Sequence, residues 1–252
     1  MEFEIFTLSE KPDLTDVIDE LSQESWPEFL LHGGVTNWRS LFKTFAKFQI
    51  LICDPDGDLL AVGHTVPFVW NGTVEDLPET IYSIISRAID AQSAEQVPNT
   101  ISALAAMVSK RHRRLGLSTE IVRQMILLAS RSGCDDLIAP VRPTLKEQYP
   151  LVSINDYIQW TDNNGEAFDP WIRVHLRLGG EVLGVANCTL KVESSVSDWE
   201  RWTGIAFPGS GEYIVPGALQ PVSIDRTLDN GSYEDPNVWI RHPVISEGNQ
   251  SA

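Results

Sequence analysis

One short stretch concentrates the chemistry of this sequence. Lys110, Arg111, Arg113 and Arg114 lead into Leu115-Gly116-Leu117-Ser118, and Arg123 follows. These are five of only 19 basic residues in a chain with a formal net charge of −16. A bound anion is the simplest reason for positive charge to gather in so acidic a protein. A solvated, salt-bridged helix face is the alternative. The setting of the stretch favours an anion. Thr100 to Val108 is a small, apolar run that reads as a buried strand, and Leu117, Ile121, Met125 and Leu128 then repeat at helical spacing. The first N–H groups of a helix have no internal partner, and the macrodipole adds roughly half a positive charge there. A pyrophosphate is satisfied by such a ring of donors. Gly116 lets the backbone come close, Ser118 is small, and the flanking arginines can add charge-assisted hydrogen bonds.

The elements that must hold this turn are legible around it. Glu2 to Leu8 alternates like a strand. Asp13 to Phe29 and Asn37 to Phe48 carry helical spacing. Ile50 to Cys53 and Leu59 to Thr65 flank Asp54-Pro55-Asp56-Gly57-Asp58, which reads as a hairpin turn. Val74 to Gln92 predicts an additional helix. Gly133 ends the helix that starts at Leu117, and Asp136 to Val141 is a further buried strand. Strand, basic turn, helix and strand together approach a βαβ unit. Asp169-Pro170 reads as the cap and first turn of a helix ending at Gly179-Gly180. Strands are expected at Glu181 to Val185, Cys188 to Glu193 and Asn237 to Ile240. Ser197 is expected to cap a short helix through Trp202. Pro208 to Pro221 is rich in glycine and proline.

The segment Arg113-Arg114-Leu115-Gly116-Leu117-Ser118 resembles motif A of the GNAT acyltransferase superfamily, [Q/R]-x-x-G-x-[G/A]. Arg113 takes the first place, Gly116 the glycine, and Ser118 departs from Gly/Ala. The likeness covers roughly residues 35 to 190. It implies an α/β fold: a mixed, mostly antiparallel sheet with a central V-shaped splay and helices on both faces. It also implies acetyl-CoA or another acyl-CoA as cosubstrate. Arg113, Arg114, Leu115, Gly116, Leu117 and Ser118 would hold the pyrophosphate. Ala106, Met107 and Val108 would line the pantetheine arm, where their strand splays from Leu137 to Val141.

The same likeness aligns His175 with a family tyrosine that protonates the departing CoA thiolate. A histidine there can exchange a proton near neutral pH, or it can simply be a half-buried imidazole bonded to a carbonyl. The pattern is further similar to the GNAT-like loading domains of polyketide synthases, in which a histidine and a threonine act beside a tryptophan. Trp38, Thr144 and His175 fit that order. Thr144 follows the strand ending near Val141, on the side where ligands of open α/β sheets bind. Its hydroxyl could serve an oxyanion or make a local turn bond. Lys191 is the nearest basic residue for carboxylate recognition, and Arg142 could hold an anionic substrate group or cap a strand end.

Three function readings follow from the resemblance: N-acetyl transfer from acetyl-CoA, malonyl-CoA decarboxylation or S-acyl transfer to a carrier-protein thiol, and noncatalytic acyl-CoA sensing. The acceptor is expected to be a small molecule or a carrier protein. The acidic balance argues against nucleic acid and anionic membranes as partners. Cys53, Cys134 and Cys188 are odd in number and widely spaced, with no zinc motif, so no metal is expected, and a reducing, cytoplasmic setting is. One domain is expected over 1–245, with a disordered tail at 246–252.

Overall fold

The computed structural model describes residues 2–33, 38–113 and 115–244, apart from the side chain of Ser40. The expected disordered tail lies outside the described residues. In chain order the elements are β1 (Glu4–Thr7), α1 (Thr15–Ser25), α2 (Trp38–Thr44), β2 (Gln49–Cys53), β3 (Leu59–Phe68), α3 (Ile81–Ser93), β4 (Thr100–Val108), α4 (Leu117–Arg131), β5 (Asp136–Val141), α5 (Ile154–Tyr157), α6 (Pro170–Arg177), β6 (Glu181–Ser194), α7 (Val196–Thr203), β7 (Gly211–Tyr213), β8 (Val222–Asp225) and β9 (Asn230–Pro243).

One sheet runs β1-β2-β3-β4-β5-β9-β8-β7, with β6 on the other edge of β9. Every neighbouring pair is antiparallel except β4 and β5. These two are parallel for three pairs only, the last being Ser102 with Ile138. Beyond it they diverge and leave the V-shaped notch that the resemblance implies. β4 stays paired with β3 as far as Val108, with a register shift between His64 and Thr65 that leaves Leu104 unmatched. Such a bulge bends the strand that carries it, and it falls two residues past the last β4–β5 pair.

Apolar faces explain which helix covers which side. α4 presents Leu117, Ile121, Val122, Met125 and Ala129 to the sheet, where they pack with Ile52, Ile101, Leu137 and Ile240. α1, α2 and α3 bury Ile18, Leu41, Ile84 and Ala88 on the opposite face. A third cluster under α7 gathers Phe29, Trp199, Phe207 and Tyr233. α4 comes so close to β3 that a Cβ on Gly63 would stand 2.7 Å from Met125 Cε and 2.9 Å from Ile121 Cγ1.

Several sequence expectations change in detail. The helix expected over 74–92 begins only at Ile81, because Pro78 holds Leu77 extended and Thr80 forms a capping box with Ser83. The helix expected over Asp13 to Phe29 stops at Ser25, ahead of Pro27. The strands expected at Glu181 to Val185 and Cys188 to Glu193 are one strand, β6, with irregular register between Ala186 and Leu190. Ser195, not Ser197, caps α7; its Oγ accepts from the Asp198 amide at 3.2 Å. The strand expected at Asn237 to Ile240 is the middle of a much longer β9, which Pro236 disguises in the sequence.

Gly63→Val tests the close packing of α4 on β3. Overpacking of this kind costs about 1–3 kcal/mol. Thermal unfolding is expected to show a lower Tm, and an unchanged Tm would contradict the packing described.

Candidate active site

A cleft of roughly 1140 Å³ opens at the notch. Leu104 to Val108 of β4 form one wall, Pro140 of β5 and Trp171 of α6 another, and α1 covers part of it through Trp26. The Trp26 indole donates to Met107 Sδ at 3.1 Å, fixing α1 on β4. The sequence-predicted residues Ala106, Met107, Val108, Arg113, Gly116, Leu117 and Ser118 all line this cleft. Leu115 is half exposed beside it. Arg114 lies outside the described residues.

The start of α4 has the form that anion binding requires. Gly116 is the N-cap residue at φ +80° and ψ 2°, and no side chain caps the helix. That left-handed backbone favours glycine, since a Cβ there costs roughly 1–2 kcal/mol. The constraint on Gly116 is therefore conformational; an added Cβ would meet nothing within 4 Å.

Thr144 and Trp38 line the same cleft. Trp38 stands edge-on to His64 at 5.2 Å between ring centroids, and Phe42 stacks on that imidazole at 5.4 Å. His64 is fully buried and its Nδ1 lies 2.8 Å from Gln49 Oε1. Gln49 Nε2 donates to the Phe45 and Thr65 carbonyls, so Oε1 is left to accept and His64 Nδ1 carries the proton. Burial pushes the His64 pKa down to about 3.

Asp169 ties the Thr144 loop to α6. Its Oδ1 accepts from the Trp171 and Ile172 amides at 2.9 and 3.2 Å, as an N-cap should. Its Oδ2 accepts from the Leu145 amide at 2.8 Å and the Tyr157 hydroxyl at 2.9 Å. One buried carboxylate therefore sets both the loop that carries Thr144 and the helix that carries Trp171 and His175.

His175 is placed differently from Thr144. It borders a small void of about 40 Å³ between β4 and β5, together with Ala103 to Ala106, Ala139 to Val141 and Trp171. The imidazole is 2 % exposed. Its Nε2 is buried without a hydrogen-bond partner, and its Nδ1 lies 2.9 Å from His242 Nε2. Burial, reinforced by His242, lowers its pKa to about 3. The resting ring is therefore neutral, which corrects the expectation of titration near pH 7: it can take a proton but has none spare to give as an acid.

At the far end of the cleft, sequence reading named Arg142 but missed the partners that hold it. Arg142 donates from Nε to both Asp235 carboxylate oxygens at 3.0 Å and from Nη2 to the Gly217 carbonyl at 2.6 Å. The Tyr233 hydroxyl donates to Asp235 Oδ1 at 2.6 Å. Arg142, Asp235, Asn237 and Glu147 all line the cleft. Lys191 instead pairs with Glu193 at 2.9 Å on the surface. No local motif marks Asp235, because only the register of β9 against β5 and β6 brings it to Arg142. Among the described residues, no group of three or more His, Cys, Asp and Glu side chains could hold a metal ion. No described helix is long and apolar enough to cross a membrane.

Comparison with known proteins agrees with this geometry. No family model matches the chain. The chain is 28% identical over 275 aligned positions to the arginine N-acetyltransferase avaD of Aspergillus versicolor, covering 96% of this chain and 94% of that protein. It superposes on the loading GNATL domain of CurA from Lyngbya majuscula with a TM-score of 0.63 at 13% identity, over 96% and 98% of the two chains. It superposes on the GphF GNAT-like decarboxylase in complex with isobutyryl-CoA with a TM-score of 0.59 at 13% identity, over 97% and 100%. The sheet with its central notch is the GNAT fold. The relative aligned over nearly its whole length is an N-acetyltransferase, which supports CoA-dependent acyl transfer as the activity of this fold here.

The buried histidines make stability pH-dependent. Their folded pKa values, about 3 for His64 and His175, lie below the unfolded value of 6.5. The unfolded chain takes up protons first, so their contribution is complete above pH 6.5 and is lost as pH falls toward 3. Each such histidine contributes a slope of about 1.4 kcal/mol per pH unit in that window. Calorimetric Tm is expected to fall between pH 7 and pH 5, less steeply in His64→Gln. A flat profile would contradict the burial described.

Proposed function

We propose that this chain transfers the acetyl group of acetyl-CoA to a nitrogen of a small cationic amine or guanidine. The carrying observation is the charge layout of the cleft. Lys110, His112 and Arg113 stand at the α4 start, while Asp19, Glu24 and Glu147 line other parts of the cleft. The basic end suits the CoA phosphates and the acidic remainder suits a cation. The arginine N-acetyltransferase named above supports a guanidine-bearing acceptor.

In this reading the pyrophosphate lies on the first amides of α4 with Arg113 beside it, and Leu115 belongs to the same turn. The pantetheine lies in the notch along Ala106, Met107 and Val108. β4 backbone amides past Ser102, no longer in the β5 ladder, donate to it. The acceptor nitrogen, having first released the proton of its ammonium or guanidinium to solvent, attacks the thioester carbon with its free lone pair. Thr144 Oγ1 donates to the carbonyl oxygen as it becomes an oxyanion, and Trp38 holds the acyl group between cleft wall and acceptor. His175 Nε2 accepts the proton that the attacking nitrogen sheds. It then passes this proton to the CoA sulfur as the C–S bond breaks. A thiolate forming beside the imidazole raises the ring's proton affinity at that moment, which offsets its low resting pKa.

Purified protein is to be assayed by free-thiol release from acetyl-CoA with arginine, agmatine and arylalkylamines, and with malonyl-CoA for CO₂ release. Acetylation of a cationic acceptor is expected. His175→Gln is expected to lower kcat about 10²–10⁴-fold. Arg113→Glu is expected to weaken acetyl-CoA binding by about tenfold or more, the scale of one charge-assisted hydrogen bond. Release of CO₂ from malonyl-CoA without acetylation of any amine would overturn this reading in favour of decarboxylation.

A further inference from the structure

The proposed chemistry leaves one buried titratable group without a role. His242 lies on β9, 1 % exposed, with its ring centroid 5.2 Å from that of His175. The two imidazoles meet through His175 Nδ1 and His242 Nε2 at 2.9 Å. At that distance one proton lies between two nitrogens, and one ring must donate it.

The proposed role of His175 decides which ring. An imidazole whose Nε2 is to accept a proton from the attacking nitrogen must carry its own proton on Nδ1. That Nδ1 lies 2.9 Å from His242 Nε2, so His242 must offer a lone pair there and keep its own proton on Nδ1. A neutral imidazole protonated on Nδ1 has its lone pair on Nε2. His242 Nε2 then accepts, and His175 Nδ1 donates.

The far side of His175 follows from the same logic. With its one proton on Nδ1, His175 exposes a bare Nε2 lone pair toward the void between β4 and β5. The packing leaves the rings little room to turn. Trp171 stands edge-on to His175 at 4.7 Å, and a Cβ on Gly180 would come within 2.9 Å of His242 Cε1. Beside His242 on β9, Arg241 pairs with Asp136, and Glu181 sits opposite Arg241 in the β6–β9 register.

We propose that His242 is a positioning residue: it fixes His175 as the Nδ1–H tautomer and so aims an unprotonated Nε2 into the notch where the thioester reacts. This rests on the reading of His175 as the group that carries the proton. Orientation of a catalytic imidazole by a partner at its other nitrogen is a known way to set a tautomer. Here the partner is a second neutral imidazole. When His175 becomes an imidazolium, His242 can share the charge through the same contact without a carboxylate, so the pair stays neutral between turnovers.

The test has a spectroscopic and a kinetic arm. Long-range ¹H–¹⁵N spectra of histidine-labelled protein are expected to show His175 as a single Nδ1–H tautomer at pH 7, with unprotonated Nε2. A His175 signal with the proton on Nε2 would overturn the inference, whether or not the enzyme acetylates an amine. In His242→Leu the His175 tautomer is expected to become mixed, and kcat to fall about 10–100-fold with KM for acetyl-CoA unchanged. In His242→Gln, whose amide oxygen can accept from Nδ1–H, much of kcat is expected to return. Equal loss in both variants, or a loss carried by KM, would also sink the inference. If the tautomer is as described but His175→Gln keeps full activity, the proton role of His175 fails while the resting arrangement stands. The wild-type spectrum does not depend on either His242 variant folding.

Discussion

The site depends on two strands that part. β4 and β5 share backbone hydrogen bonds only as far as Ser102 and Ile138. Past that point their facing edges lose the ladder that would satisfy N–H and C=O groups. Buried backbone groups rarely stay unpaired, so an edge opened inside a sheet is built for another partner to complete. The Leu104 bulge bends β4 away at this place, and β3 keeps the strand from moving further. An extended ligand chain fits such an edge in the manner of an added strand.

What surrounds the notch is held by few but well-connected polar groups. Asp169 accepts four hydrogen bonds from the Thr144 loop, α5 and α6. Arg142, Asp235 and Tyr233 lock the start of the loop after β5 onto β9. A buried ion pair of this kind contributes little net stability, but removing one partner strands a charge in the interior. Its effect here is to fix geometry at the cleft wall. Lys146 shows the same economy: its ammonium donates to the Tyr149 and Leu219 carbonyls, and burial lowers its pKa to about 8.

The electrostatic layout sorts by depth. Charged side chains line the mouth of the cleft, whereas the imidazoles beneath it are buried and held neutral. A buried, neutral imidazole at the position of the proposed base suits acyl transfer from a thioester, because charge appears there only while the bond is breaking. A chain so acidic overall can still present phosphates with a favourable end, since Lys110, His112 and Arg113 are concentrated at one helix start.

The α4 turn was legible in the sequence because its signals are local: an apolar strand, a glycine among arginines and a 3.6-residue stripe lie within thirty residues. The Asp169-Pro170 cap and the Asp54 to Asp58 hairpin were legible for the same reason. The extent of β6 and β9 was not, because an irregular register and Pro236 hide a strand whose length is set by its partner. Nor could the sequence alone pair Arg142 with Asp235, or His175 with His242. Those residues stand 93 and 67 positions apart, and only the packing of β9 between β5 and β6 brings them together. The sequence supplied a histidine able to titrate near neutrality; burial decided that it rests neutral, because removing water penalises the charged ring.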